Sequence, residues 1–442
     1  MPYRFYGGVH PQTFKTSTSD RPTKRVFIPK KVVLPLLQHT GSPAEPIVAV
    51  GDSVKVGNSI AKPTGYISSA VHATISGKVT RIAYSPTPTH ARVSSITIEA
   101  EGSEGDQELK IQPSRDVEFL SRESLLNMIK DAGVAGLGGA AFPTHVKLSP
   151  PKTKPIDALI LNGAECEPYL TCDHRIMVEK TKEVLKGIEI IMKVLGAKNA
   201  YIAIEDNKLS AIYALAKAIE VLREKGLKPK VEVSVLGTKY PQGSEKQVIK
   251  SVLNRVVPAG GLPMDIGCIV QNIGTVFAIY EAVYLKKPLI ERAITITGPC
   301  LKEPMNIWVR LGTLLSDLVN SVNGFVTQPR KVIMGGPMMG VAQYTMDVPI
   351  TKGTCGAIFL PKDEIDESSE SVCIRCGKCI EICPMGLVPA TLASRVKKEY
   401  FNEAKDLGVE NCFECGACAY ACPAKIPLLD YMKFGKSKVQ SV

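Results

Sequence analysis

Eight of the thirteen cysteines fall into two copies of one pattern. The first is Cys373, Cys376, Cys379 and Cys383 followed by Pro384; the second is Cys412, Cys415, Cys418 and Cys422 followed by Pro423. Thiolates at steps of three residues wrap a tight turn around an iron-sulfur cubane, and in a doubled motif the cysteine before proline reaches across to the other cube. The spacing therefore predicts one [4Fe-4S] cluster on Cys373, Cys376, Cys379 and Cys422, and a second on Cys412, Cys415, Cys418 and Cys383. Zinc modules separate one cysteine pair from a second pair, or from histidines, by a longer loop. Residues 371–442 contain no histidine, so the iron-sulfur reading stands over zinc. Two such clusters carry single electrons. Cys166, Cys172, Cys268, Cys300 and Cys355 lack the spacing and read as buried small apolar side chains.

A second candidate for chemistry is the stretch Gly136-Leu137-Gly138-Gly139-Ala140-Ala141, followed by Phe142, Pro143, Thr144 and Lys147. It satisfies a dinucleotide fingerprint formally, but a Rossmann loop follows a strand and opens a helix. This one follows a helical stretch at 123–131, contains a proline and leads to a buried strand candidate at 156–161. Without Cβ atoms its backbone can still approach a flat ring or a phosphate and point N–H groups at it, and Lys147 adds a cation. A tight interdomain turn is the other reading of the loop alone.

The elements around these motifs fall into blocks. A chain of 442 residues with 45% hydrophobic content has length for about three domains and ample core. Its formal charge of +11 is spread along the chain, without base-reading motifs or aromatic stacking platforms. The expectation is no nucleic acid, and a basic face toward an acidic partner or an anionic membrane surface. No stretch of eighteen apolar residues and no secretory start is present, so a soluble chain that is not exported is expected, its thiolates kept in a reducing cytoplasm. Short β-rich runs at 47–52, 54–58, 76–80 and 94–98 predict a small β-sandwich or barrel. Helical spacing at 178–195 and at 209–225, the latter stopped by Gly226, alternates with strand candidates at 201–204 and 231–236. That βαβ rhythm predicts a parallel, helix-covered sheet. Further β text starts near 293 and includes a short helix at 313–322. The acidic run 363–370 reads as a linker. His10, His39 and His72 have no second ligand at helical or hairpin spacing and read as surface or hydrogen-bonded core residues. Lys433, Lys436 and Lys438 read as a solvated end.

Several blocks resemble known families. Residues 50–60 with Ser76-Gly77-Lys78-Val79 resemble the biotinyl/lipoyl barrel-sandwich domain, but the corresponding hairpin tip, 65–73, has no lysine. The resemblance implies the fold and denies the swinging prosthetic arm. The loop from Gly136 to Lys147 resembles the flavin loop of the flavin subunit of respiratory complex I, as do Asn162-Gly-Ala-Glu165-Cys-Glu167-Pro168, Gly243-Ser-Glu245 and Gln271-Asn272-Ile-Gly-Thr275. With the lysine-free sandwich in front and the twin cysteine motif behind, the whole chain resembles the C-subunit family of Rnf-type ion-translocating ferredoxin:NAD oxidoreductases.

The resemblance implies a multidomain α/β plus β fold: a barrel-sandwich hybrid at 1–115, an FMN/NAD(H)-binding α/β domain at 116–290, a β-grasp ligand-binding module at 291–350, the linker 363–370, and a two-[4Fe-4S] ferredoxin-like helical domain at 371–442. It implies that Gly136, Gly138, Gly139, Lys147, Asn162, Gly243, Gln271, Asn272 and Thr275 hold FMN, with Phe142 stacking on NAD(H). Glu165, Glu167 and Glu245 then border flavin and nicotinamide; from the residues alone, Glu165 and Glu167 read as an ordinary ion-paired loop. Ala164, Ser244 and Gly274 stand where the flavin subunit of complex I has acidic residues. The implied activity is that of an NADH dehydrogenase-type translocase subunit, exchanging electrons with other subunits of a membrane-bound complex and, through them, with ferredoxin, from the cytoplasmic side of the inner membrane. Two other readings are a non-enzymatic bi-cluster electron adaptor and the flavin subunit of a soluble bifurcating hydrogenase or formate dehydrogenase.

Overall fold

Alternation sets the N-terminal domain. In strand Lys31–Pro35, Val32 and Leu34 turn inward and pair across to Ile98 and Ile96 of strand Val93–Ala100. Gly77–Ser85 and Ser53–Val54 complete this antiparallel sheet, and Glu45–Pro46, Ser59–Lys62 and Val71–His72 form a second one over the same core. The computed structural model describes residues 4–25, 27–102, 107–111, 113–114, 116–224 and 230–439; Lys225 and Gly226, the expected helix stop, lie outside them.

The run 47–52 is a turn, not a strand. The Ala49 N–H donates to Asp52 Oδ2 at 2.8 Å, Gly51 sits at φ +100, and Ile47 and Val50 face solvent. Only the start of 54–58 is strand, because Asn58 Oδ1 takes the Lys55 N–H and closes a turn. A side chain that bonds its own backbone outcompetes the ladder. Of the hairpin tip that lacks a lysine, Ser68, Ser69, Ala70, Val71 and His72 are buried, while Tyr66 and Ile67 face solvent.

The central domain is a four-stranded parallel sheet in the order Val231–Leu236, Asn199–Glu205, Ala158–Asn162, Cys268–Asn272. The chain walks from Ala158–Asn162 in one direction and then returns to its other edge, so the switch in strand order falls between Ala158–Asn162 and Cys268–Asn272. In the helical region expected at 178–195 the helix breaks at Lys180, giving Cys172–Glu179 and Thr181–Leu195. The second buries Val184, Leu185, Ile188, Ile191 and Val194 on one stripe and ends at Gly196 in the left-handed region, as a glycine cap does.

The β-grasp sheet has six strands, ordered Lys24–Arg25, Met305–Arg310, Glu291–Thr297, Gly356–Leu360, Lys331–Met334, Val341–Gln343. It takes in two segments outside 291–350, namely Lys24–Arg25 and the central strand Gly356–Leu360. One continuous apolar core runs through these first three domains, from Val32 to Phe359.

The cysteine domain has a separate small core, including Leu392, Val396, Ala404, Val409, Leu428 and Met432, among short helices. The acidic linker is pinned: Glu367 pairs with Arg330, Asp366 with Lys425 and Glu370 with Lys397. Lys436 is not a free tail residue, since it donates to Cys412 O and to Glu414. Among the described residues no helix is long and apolar enough to cross a membrane.

Candidate functional site

At the switch in strand order, Asn162 and Asn272 end adjacent parallel strands in register. Ligands of open α/β sheets bind in this crevice, outside the carboxyl ends of the strands. Asn272 is held from both sides. Its Oδ1 accepts the Thr275 N–H at 3.1 Å and caps helix Ile273–Tyr284, while its Nδ2 donates to Asp173 Oδ2 at 2.5 Å. Thr275 Oγ1 accepts the Leu137 N–H at 2.9 Å and anchors the glycine loop over the crevice. Gly138 then lies so close that a Cβ would sit 2.5 Å from Asn272 Nδ2, whereas a Cβ on Gly139 would meet nothing within 4 Å. Gly136 is tied by its N–H to Phe142 O. The N–H groups of Gly138, Gly139, Ala140 and Ala141 have no acceptor among the described residues. Asn162 Nδ2 donates to Gly243 O at 2.7 Å and fixes the second glycine turn beside the first. Two buried polar atoms here are orphaned, Gln271 Nε2 and Thr144 Oγ1. Buried donors left unmade cost free energy, so each calls for a partner, a bound ligand or an ordered water. Free amides, an open Gly139 face and orphaned donors together fit a flat, phosphate-bearing cofactor.

The three glutamates are separated by the fold into different tasks. Glu245 pairs with Lys147 at 2.6 Å on the rim, with both side chains partly exposed. Glu165, in the left-handed region at φ +45, caps helix Cys172–Glu179 by accepting the Asp173 N–H at 2.8 Å and the His174 N–H at 3.3 Å. Glu167 reaches into the β-grasp module and accepts the N–H groups of Met338 and Met339 at 3.0 and 2.8 Å. The buried Lys15 ammonium donates to the carbonyls of Glu165, Glu167 and Leu170 and holds this turn from behind. Phe142 is half buried and makes no ring contact among the described residues.

Burial pushes the Glu167 carboxyl up from 4.5 to about 7, against the pull of its two amide donors. Burial and the neighbouring Glu165 likewise push Asp173 up. A carboxyl whose folded pKa is raised binds its proton more tightly in the native state. Its stabilising contribution is full below pH 4.5 and is lost as pH rises through about 7, a swing of about 3 kcal/mol. Glu167→Gln should therefore flatten the fall in stability between pH 5 and pH 8. Denaturation midpoints across that range check it, and an unchanged slope would reject the buried Glu167 titration.

The structure gathers the cysteines across the two motifs. Burial raises the Cys379 thiol, and Cys422, Cys373 and Cys376 are near enough to add to it. The Cys418 thiol, pushed up to about 12 by burial, interacts with Cys415, Cys412 and Cys383. Those last four line one cavity, together with Pro384 and Phe413. Both motifs repeat the same backbone: a left-handed residue before the second cysteine, Arg375 and Glu414, then a left-handed glycine, Gly377 and Gly416. Among the described residues no group of three or more His, Cys, Asp or Glu is arranged to hold a single metal ion. Cys383 and Cys415 are buried, whereas Cys373 and Cys376 are exposed.

Two links dock the less exposed, inner cysteine group, Cys383, Cys412, Cys415 and Cys418, on the crevice domain, and a third comes from the N-terminal segment. Tyr240 Oη donates to Cys415 O at 2.6 Å, the Gly8 N–H to Ile382 O at 2.7 Å, and Gln247 Nε2 to Pro384 O at 3.3 Å. Tyr240, Val9, Cys415 and Ala417 share a small apolar core between them. Lys15, Asp173, Gln247 and the docking role of Tyr240 are absent from the residues expected at the site, because isolated polar residues in ordinary surroundings carry no periodic or spacing signal.

Comparison with known proteins covers all four blocks. A model of the RnfC barrel sandwich hybrid domain matches residues 3–103, the Nuo51 FMN-binding domain 129–281, the SLBB domain 293–342, and a 4Fe-4S dicluster domain 365–423. The chain is 46% identical over 402 residues to the C-subunit of the proton-translocating ferredoxin:NAD(+) oxidoreductase complex of Clostridium ljungdahlii, covering 91% of this chain and 86% of that one. It is 40% identical over 435 residues to the C-subunit of the Na(+)-translocating ferredoxin:NAD(+) oxidoreductase complex of Acetobacterium woodii, covering 98% and 97%. To the C-subunit of the ion-translocating oxidoreductase complex of Rhodobacter capsulatus it is 38% identical over 438 residues, covering 98% and 82%. Among solved structures, the NAD+-reducing [NiFe]-hydrogenase in the H2-reduced state aligns with a TM-score of 0.49 at 16% identity, over 75% of this chain and 65% of that one.

Proposed function

Because the chain belongs to the C-subunit family of ion-translocating ferredoxin:NAD(+) oxidoreductase complexes, we propose that it is the NAD(H)-reacting electron-transfer component of such a complex. It uses FMN and two [4Fe-4S] clusters, and works beside other subunits on the cytoplasmic face of the membrane. The observation that carries this reading is the docking of the less exposed cysteine group, Cys383, Cys412, Cys415 and Cys418, on the domain that holds the glycine-loop crevice, through Tyr240 and Gln247 with Gly8 of the N-terminal segment beside them.

Gly138, Gly139 and the free amides through Ala141 would hold the FMN ring and phosphate region, with Gln271, Thr144 and Lys147 at its edges. When bound, FMN supplies the step between a two-electron hydride donor and one-electron clusters. The chain's own residues do the positioning. Asn272 and Thr275 fix the loop, and Lys147 with Glu245 sets the charge at the rim. Glu165 and Glu167, whose oxygens are taken up by backbone N–H groups, brace the wall. Cys373, Cys376, Cys379 and Cys422 present the outer cluster to a partner, since Cys373 and Cys376 face solvent.

The test is anaerobic reconstitution of the purified chain with iron, sulfide and FMN, followed by NADH addition under optical observation. Bleaching of a bound yellow chromophore and then of the clusters is expected; full clusters with no affinity for FMN would leave only the adaptor reading. Tyr240→Phe deletes the donor to the Cys415 carbonyl and should weaken docking by about 1–3 kcal/mol, the cost of an unmade buried hydrogen bond. Hydrogen exchange of residues 412–418 should rise while flavin reduction by NADH keeps its rate, and protection equal to the parent chain would contradict the role given to Tyr240.

A further inference from the structure

The glycine loop is held from outside its own domain. Thr40, an exposed residue of the barrel-sandwich domain, donates its hydroxyl to Ala140 O at 2.6 Å. Arg292, on the β-grasp strand Glu291–Thr297 and 3% exposed, donates one guanidinium nitrogen to Leu137 O at 2.9 Å and the other to Lys352 O. Lys352, 1% exposed, sends its ammonium to Gly133 O at 2.7 Å, Ala70 O at 2.7 Å and Ser69 Oγ at 3.1 Å. Its own N–H donates to Gln38 Oε1. Gly133, at φ +66, allows this approach, since a Cβ there would lie 2.6 Å from Ala70 O.

These bonds have a common consequence. The carbonyls of Gly133, Leu137 and Ala140 are each taken by a side chain of another domain, while the N–H groups from Gly138 to Ala141 stay unused. A peptide plane is rigid, so fixing the direction of a carbonyl fixes the direction of the following N–H. Arg292 thereby sets the Gly138 N–H and Thr40 the Ala141 N–H, while Lys352 fixes the approach to the loop at Gly133 and, through its own carbonyl, a second arm of Arg292. We infer that Thr40 and Arg292, with Lys352 behind them, are positioning residues for the flavin site, and that the lysine-free hairpin, whose Ser69 and Ala70 accept the Lys352 ammonium, anchors this clamp instead of carrying a prosthetic group. The inference rests on the FMN reading of the crevice given above. Preorganised amides need no reordering when the ligand arrives, so loss of the clamp appears as lost affinity and altered flavin electronics more than as lost fold.

The experiment uses the full chain with its clusters, stripped of flavin and titrated with FMN by fluorescence quenching. The visible spectrum and midpoint potential of the bound flavin are recorded for each variant. Thr40→Val is exposed and removes only the donor to Ala140 O; FMN affinity should fall about tenfold, with a displaced potential and an unchanged melting temperature. Thr40→Ser restores the hydroxyl and should restore both. Lys352→Met and Arg292→Lys should weaken FMN by about tenfold or more, the latter because lysine keeps the charge but lacks the rigid planar fork that sends separate nitrogens to Leu137 O and Lys352 O. If Lys352→Met does not fold, the two Thr40 variants decide alone. Parent-like affinity, spectrum and potential in Thr40→Val overturn the clamp while leaving the FMN site standing. A parent chain that binds no FMN overturns the site itself and the clamp with it.

Discussion

Replacing Cys383 by serine is expected to halve the iron and acid-labile sulfide of the anaerobically reconstituted chain and to cut the remaining cluster off from NADH. Cys383 belongs to the first motif in sequence but lies with Cys412, Cys415 and Cys418 in space. The cluster that survives is therefore the outer one, on Cys373, Cys376, Cys379 and Cys422. The inner group is the one docked on the crevice by Tyr240 and Gln247, so removing it takes out the intermediate stop. Cys422→Ser also halves the iron, but it spares the inner cluster, which NADH should still reduce. Iron and sulfide counts with electron paramagnetic resonance after NADH or dithionite separate the two variants. An outer cluster in Cys383→Ser that NADH still reduces as fast as in the parent would sink both the crossed wiring and the inner-outer order. Secondary losses are expected in the cysteine domain, because ~70 residues with a small core draw much of their stability from bound metal.

The parts of this molecule that were legible in the sequence are those whose signal is local. Cysteine spacing and the two prolines point to the crossed grouping before any coordinates, since the chemistry dictates the spacing. The βαβ rhythm foretells the parallel sheet because strands buried on both faces must be apolar runs, as Ala158–Asn162 is. What was not legible depends on groups that meet from distant segments. Glu165 and Glu167 read as two equivalent loop acids, yet one caps a helix seven residues on and the other reaches amides at 338 and 339. Nothing local in the sequence sets Lys15 and Lys352 apart from other lysines, yet both are buried with three oxygen acceptors each. The run 47–52 has strand composition, but Asp52 supplies a turn that apolar patterning cannot reveal.

Two neighbouring glycines should respond in opposite ways to the same methyl group. At Gly139 a Cβ meets no protein atom within 4 Å, so Gly139→Ala should fold with the parent's melting temperature when flavin is absent. Its methyl group would occupy the space in which the flavin is proposed to lie against the backbone. Overpacking of about 1–3 kcal/mol corresponds to a loss of FMN affinity of about 10- to 100-fold. At Gly138 a Cβ would lie 2.5 Å from Asn272 Nδ2 and 2.7 Å from its Cγ. Asn272 cannot swing away without giving up its bonds to the Thr275 N–H and to Asp173. Gly138→Ala should therefore lower the stability of the flavin-free chain by about 1–3 kcal/mol and weaken FMN as well. Thermal denaturation without FMN, set beside FMN titration, distinguishes a steric effect within the protein from one on the ligand. Parent-like FMN affinity in Gly139→Ala would mean that the ring does not lie over this loop, and the crevice at the ends of Ala158–Asn162 and Cys268–Asn272 would need another occupant.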